Sequence, residues 1–123
     1  MAGQFQGNVQ ISGTLTQNYA GRAARSMPLA YAQVNQDGVL QVGTANVSSI
    51  QWDAVNKRYV VSFSNLFYTT GDYVTLVTPV RVASIHARVP VTSASADGKL
   101  YVYIFDLTDT PGQSNFNFVV YAP

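Results

Sequence analysis

Apolar and polar residues alternate strictly over residues 5–16 of the chain. The apolar residues occupy odd positions, and polar residues or glycine stand between them. A period of two residues is that of an extended strand, in which Gly7 and Gly13 allow a bulge or a kink. We therefore expect an extended N-terminal strand with a single apolar face, formed by Phe5, Val9, Ile11 and Leu15.

Residues 17–28 have no comparable period, which predicts a linker or arm. Arg22 and Arg25 form a local positive cluster within it. This pair belongs either to a solvated loop or to a contact with a partner chain. We divide the chain into an N-terminal strand and arm, residues 1–28, and one folded domain, residues 29–123.

From residue 29 onward, turn residues recur at regular intervals between apolar runs. Asn35 to Gly38 separates the runs Leu29–Val34 and Val39–Val42, and residues 53–57 separate Val47–Trp52 and Arg58–Phe63. Each pattern predicts a β-hairpin, because a glycine or a polar turn can reverse the chain between two strands.

The second half of the folded domain contains four further strand-like runs. Pro79 suggests a sheet edge or a break, and Pro90 suggests the end of a strand. About eight strands at this spacing predict an all-β fold, an antiparallel β-sandwich or jelly roll. The four runs are Tyr73–Val77, Val80–Val89, Lys99–Phe105 and Asn115–Tyr121.

Two of these strands carry apolar residues on both faces. A two-layer sandwich buries only one face of each sheet, so the second apolar face needs a cover. A neighbouring subunit and the N-terminal arm are both candidates, and an ordinary tyrosine row with hydroxyls in water is the alternative. The candidate oligomer interface comprises Tyr101, Tyr103, Phe105, Val119 and Tyr121.

The composition supports strands and excludes several functional classes. Charged residues make up 11% of the 123 residues, against roughly 25% in average domains. A formal net charge of +1 provides no basis for binding nucleic acid, and the absence of cysteine excludes disulfides. No apolar run approaches the ~20 residues that span a bilayer. We expect a chain made in the cytoplasm without a signal peptide and without membrane insertion.

Residues suited to catalysis are few. His86 is the single histidine, and no Gly-x-Ser-x-Gly motif presents a nucleophile. Asp106 and Asp109 are the closest pair of carboxylates, and the 106–112 loop is either a plain turn or a calcium site. We expect neither catalysis nor a cofactor or metal, while the calcium alternative stays open.

Two aromatic groups are candidate platforms for a sugar ring. Trp52 precedes Asp53 and Asn56, and Tyr68 and Tyr73 flank the loop between them. An aromatic ring can stack on a sugar while carboxylate and amide groups bond its hydroxyls. The alternative is that Trp52 anchors the core of the domain.

The segment from Gly7 to Thr16 (GNVQISGTLT) resembles the glycine-punctuated runs in the shafts of phage tail fibres. The remaining strand pattern, with Tyr59–Phe63, Leu100–Asp106 and Phe116–Val120, is similar to the small β-sandwich heads of phage and bacterial fibre proteins. Those heads resemble complement-type and tumour necrosis factor-like jelly rolls, which assemble as trimers. The resemblance implies that the two-sided strands lie near a threefold axis.

This resemblance implies a non-enzymatic structural protein of a virus particle or cell-surface appendage. Because a full shaft has many repeats and this chain has barely one, a short spike, a capsid decoration protein or a head on another protein's shaft fits best. The expected partners are further copies of the chain and other particle or fibre proteins, bound through the docking arm. The alternative is a carbohydrate-binding module that recognises host glycan.

Overall fold

The computed structural model describes residues 16–19, 22–25, 27–80 and 87–122, the first two ranges by their backbone alone. In these residues the chain forms strands and turns and no helix, so none there is long and apolar enough to cross a membrane. The strands are β1 (Thr16–Tyr19), β2 (Arg22–Arg25), β3 (Ala30–Val34), β4 (Leu40–Gly43), β5 (Val47–Asp53), β6 (Arg58–Phe63), β7 (Val74–Val80), β8 (Val89–Ala94), β9 (Leu100–Phe105) and β10 (Asn115–Tyr121).

Eight of the strands form two antiparallel sheets of four. The first sheet has the order β4-β3-β10-β7, and the second has the order β5-β6-β9-β8. The expected all-β sandwich is confirmed, whereas a jelly-roll topology is not. The hairpins β3–β4, β5–β6 and β8–β9 keep consecutive strands in one sheet, and the other connections cross between the sheets.

The core lies between the sheets because alternate residues of the central strands are apolar. In β3, Ala30, Ala32 and Val34 are buried and the residues between them are exposed. Strand β10 repeats this pattern, and the rings of Phe116 and Tyr59 bring the sheets together with centroids 4.8 Å apart. The remaining buried apolar residues are Val47, Val61, Tyr68, Leu100, Val102, Ile104, Phe118 and Val120.

Of the two alternatives predicted for Pro79, a sheet edge and a break, the structure shows the edge, whereas the strand end predicted at Pro90 is wrong. Pro79 does not break its strand but lies within β7, at the edge of the first sheet. Pro90 does not end a strand: it is the second residue of β8, which is an edge strand of the other sheet. Edges tolerate proline because its missing N–H removes no essential ladder hydrogen bond there. The predicted strand Val80–Val89 is wrong at both ends, because Val80 ends β7 in the first sheet and Val89 begins β8 in the second; residues 81–86 lie outside the described residues.

The N-terminal segment is described only from Thr16. The proposed docking residues Phe5, Val9, Ile11 and Leu15 lie outside the described residues. Within the segment expected to be a linker, β1 and β2 pair as a short antiparallel hairpin, with Thr16 opposite Arg25. Residues 17–19 and 22–25 of the predicted linker or arm are therefore in paired strands, since the backbone can pair locally without an apolar period.

Candidate functional site

The outer surface of the first sheet carries apolar side chains and no charge among the described residues. Directly paired residues of neighbouring strands point to the same side of a sheet, and Val119 pairs with both Tyr31 and Leu76. Because β10 buries Phe116, Phe118 and Val120, this side faces outward. We call it the charge-free face; its residues are Tyr31, Gln33, Val42, Val74, Leu76, Thr78, Asn117, Val119 and Tyr121.

Large apolar side chains on the charge-free face are accessible to solvent. Val42 and Leu76 are each 59% exposed, and they lie on the two opposite edge strands of the sheet. Val74 and Tyr31 are also exposed, whereas Val119, on the central strand β10, is half-buried by its neighbours. A contiguous exposed apolar surface of this kind is a candidate interaction site.

The outer surface of the second sheet is also rich in apolar side chains. Tyr103 and Phe105 stack with centroids 6.1 Å apart, and Val91 and Val89 lie opposite them on β8. With the exposed Leu107, part of this surface forms an open groove of about 490 Å³ whose rim carries Asp106 and Asp109. We call this surface, formed by Tyr101, Tyr103, Phe105, Val89 and Val91, the aromatic face.

Arg58 covers one end of the aromatic face. Its guanidinium carbon lies 3.7 Å from the centroid of the Tyr101 ring, and Nη1 donates a 2.8 Å hydrogen bond to the Tyr103 hydroxyl. Its Nε also donates to the Asp53 carboxylate at 3.3 Å. The hydrogen bond to Tyr103 is the largest contribution that raises the pKa of Arg58. The aromatic face therefore includes a fixed positive charge, unlike the charge-free face.

The candidate oligomer interface divides between the two faces. Tyr101, Tyr103 and Phe105 lie on the aromatic face, whereas Val119 and Tyr121 lie on the charge-free face. The sheets pack with their inner sides together, so these two outer faces are on opposite sides of the sandwich. The five residues thus offer two separate surfaces instead of one.

Trp52 is half-buried, and it lines an open polar pocket of about 460 Å³ together with Asp53. Trp52 pairs with the buried Tyr59, so its ring packs toward the core with a centroid separation of 4.8 Å. The next residue, Asp53, points to the opposite side of β5, because successive strand residues alternate. Its carboxylate accepts hydrogen bonds from Asn56, which are the main cause of its lowered pKa. Asp53 and Asn56 close the hairpin turn.

Tyr68 lies in the interior of the domain, and Tyr73 is half-buried beside it. Tyr68 is 2% exposed, and its ring stacks on that of Tyr73 with centroids 5.5 Å apart. The Tyr68 hydroxyl shares a 2.5 Å hydrogen bond with Thr75 at the start of β7. The buried Tyr68 ring therefore presents no open face to a sugar, and Tyr68 covers one face of the Tyr73 ring.

Of the candidate catalytic and metal-binding groups, Asp106 and Asp109 lie together on the rim of the groove of the aromatic face. The Asp106 carboxylate oxygen Oδ1 accepts hydrogen bonds from the Thr108 hydroxyl and from the backbone N–H groups of Thr108 and Thr110. These bonds, led by the Thr108 hydroxyl, lower the pKa of Asp106 and form a turn. Among the described residues, no group of three His, Cys, Asp or Glu could hold a metal ion. His86 lies outside them.

Sequence reasoning did not identify Tyr31, Val42, Val74 and Leu76 as surface residues of interest. The available signal was the alternation within β7, which predicts that Val74 and Leu76 share a face. The contact between Arg58 and Tyr101 was also missed, because it joins residues far apart in the chain.

Comparisons with known proteins find no relative: no family model, no curated protein and no solved structure matches the chain.

Proposed function

We propose that the chain is a non-enzymatic structural protein that assembles as a homotrimer in a virus particle or surface appendage. The observation that carries this proposal is the charge-free face, where exposed valine, leucine and tyrosine side chains lie together on one sheet. Burying such a surface between subunits is favourable by about 25 cal/mol per Å² of apolar area.

The threefold symmetry of the proposal rests on the similarity of the β-sandwich to trimeric fibre heads. The charge-free face and the aromatic face lie on opposite sides of the sandwich, so joining one to the other would stack copies in an open array and would not close a ring.

Placement in a fibre, a spike or a capsid decoration rests on the similarity of Gly7–Thr16 to fibre shafts and on the β-sandwich that follows it. The charge-poor composition agrees with a surface that is covered by neighbours. The glycan-binding alternative has less support, because Tyr68 is buried and the rings of Trp52 and Tyr73 are half-buried against the core.

The mass in solution tests the proposal directly. We expect wild-type protein at micromolar concentration to have three times the 13.3 kDa mass of the chain by native mass spectrometry. Leu76→Lys, which places a charge on the charge-free face, should shift the protein to monomer while it stays folded.

Val55→Lys is the matched control, because Val55 is an 89% exposed apolar residue in the β5–β6 turn, away from that face. It should leave the trimer intact. A monomeric wild-type protein would contradict the proposal, and so would equal loss of assembly in the two variants.

A further inference from the structure

The outer edge of β7 is unpaired among the described residues. Each of the two sheets has two edge strands: β4 and β7 in the first, and β5 and β8 in the second. An edge strand presents a row of free N–H and C=O groups that can pair with another chain. Natural proteins protect such edges with short strands, bulges, prolines or charges.

Each of the four edges carries one of these protections, but in β7 it is a single proline near the end of the strand. Strand β4 has four residues and a register shift against β3. Strand β5 shifts register between Val47 and Ser49 and ends at Asp53, and β8 contains Pro90 near its beginning. Each of these features disfavours the regular addition of a further strand.

Strand β7 is regular by comparison. It pairs with β10 over seven consecutive positions without a register shift, and it contains no charged residue. Pro79 lacks a backbone N–H donor, but it lies near the end of the strand. Residues Val74 to Thr78 therefore remain a continuous edge. The exposed side chains of Val74 and Leu76 join this edge to the charge-free face.

We propose that residues 5–15 of a neighbouring copy add a strand to the β7 edge between Val74 and Thr78. This inference rests on the proposed function, since it specifies how copies of the chain join. The added strand extends the first sheet from β4-β3-β10-β7 to five strands. Main-chain hydrogen bonds supply affinity, and alternate side chains supply register.

The sequence of residues 5–15 suits this position. It contains no charged residue, and its apolar residues Phe5, Val9, Ile11 and Leu15 all share one side of an extended strand. At about 3.3 Å per residue, eleven residues span ~36 Å, which exceeds the ~17 Å of a five-residue edge. The backbone of such a strand can pair with the free N–H and C=O groups of β7. Its apolar side chains can pack beside those of the charge-free face.

The charge-free face is too small to form a stable interface by itself, which favours the donation of a strand by a second copy. Between strand axes about 4.8 Å apart and over five residues, the face measures on the order of 14 Å by 17 Å. That is on the order of 240 Å², while a stable interface buries about 800 Å² on each partner. An exchanged strand adds apolar area and backbone hydrogen bonds that the flat face does not provide.

Disulfide trapping tests this inference, because the natural chain has no cysteine. An Ile11→Cys chain carrying an affinity tag is unfolded together with an untagged Leu76→Cys chain, refolded and oxidised mildly. We expect a tagged–untagged covalent dimer on a non-reducing gel, since added strands bring facing Cβ atoms within disulfide range. A parallel mixture uses Val9→Cys in place of Ile11→Cys. It tests the pairing in which the added strand is shifted by two residues along β7.

The matched control is Val42→Cys in place of Leu76→Cys. Val42 has the same 59% exposure on the same face, but it lies on the opposite edge strand, β4. We expect little trapping there. Equal trapping at Val42, or none at Leu76 from either donor position, would overturn the inference.

A single chain with both Ile11→Cys and Leu76→Cys distinguishes exchange from self-docking. Closure within one chain, giving a cross-linked monomer and no covalent oligomer, would overturn donation by a neighbour. The wild-type mass separates the two proposals: a trimer that does not cross-link refutes this inference alone. A monomer refutes both.

Discussion

The hydroxyl group of Tyr59 lies 2.6 Å from the backbone carbonyl oxygen of Gln36 and donates a hydrogen bond to it. Tyr59 belongs to β6 of the second sheet, whereas Gln36 lies in the turn between β3 and β4 of the first. The same hydroxyl accepts a 3.0 Å hydrogen bond from the N–H of Ser114, just before β10. One buried tyrosine therefore links the sheets by polar bonds as well as by ring packing.

Replacing Tyr59 with phenylalanine should reduce the free energy of unfolding. The ring remains, but the buried Ser114 N–H and the Gln36 carbonyl lose their partner, and an unsatisfied buried polar group costs about 1–3 kcal/mol. Urea denaturation followed by tryptophan fluorescence measures this change. Tyr31→Phe is the control, because Tyr31 lies exposed on the charge-free face. Equal stability of Tyr59→Phe and wild type would show that this bond contributes nothing.

Tyr59 should also make the stability of the protein sensitive to alkaline pH. Burial is the largest contribution that raises the pKa of Tyr59, while the unfolded chain keeps a tyrosine pKa of about 10. The neutral Tyr59 side chain therefore stabilises the folded state fully below the unfolded pKa of about 10. That stabilisation is lost as the pH rises through the higher folded pKa. Urea titrations from neutral to alkaline pH should show a steeper loss for wild type than for Tyr59→Phe. Parallel pH profiles would refute the effect.

Gly98 should not tolerate a side chain. Its φ of +83° is a left-handed conformation, and an added Cβ would lie 2.6 Å from the ring of Phe67. Gly98→Ala should therefore lower the free energy of unfolding by more than ~1 kcal/mol. Gly71→Ala is the matched control, since nothing lies within 4 Å of a Cβ at that position. The two midpoints in urea provide the comparison, and equal midpoints would contradict the prediction.

Arg58 and Tyr101 should be energetically coupled. Their contact places a cation over an aromatic face, which contributes about 0.5–2 kcal/mol depending on its exposure to water. A double-mutant cycle with Arg58→Met and Tyr101→Leu, measured by urea denaturation, should give a coupling energy in that range. Arg58→Lys should not restore the stability, because lysine lacks the planar group that stacks and also bonds Tyr103. Strictly additive effects would show that the two residues act independently.

Much of the fold follows from short-range patterns in the sequence. The β5–β6 hairpin and the bounds of β10 agree with the predicted Val47–Trp52, Arg58–Phe63 and Asn115–Tyr121. Alternation and turn residues act over a few positions, so they can be recognised without knowledge of the partner strands. Pro90 was misread for the converse reason: whether a proline ends a strand depends on whether the strand lies at an edge.

The candidate sites were harder to predict because alternation does not say which side of a strand faces the core. Trp52 and Asp53 are neighbours in sequence, yet they point to opposite sides of β5. Likewise, Tyr103 and Val119 both belong to two-sided strands, but sheet packing places them on opposite surfaces of the sandwich.

The sequence by itself determined the all-β class, the hairpins and the pairs of residues that share a strand face, since these depend on local backbone preferences. Only the tertiary structure decided the order of strands in each sheet, and with it which edges are open and which faces are buried. Pairing β10 between β3 and β7 brings Tyr31, Val119 and Leu76 side by side. This surface arises from residues distant in the chain, because strand pairing is a long-range interaction that no local pattern encodes.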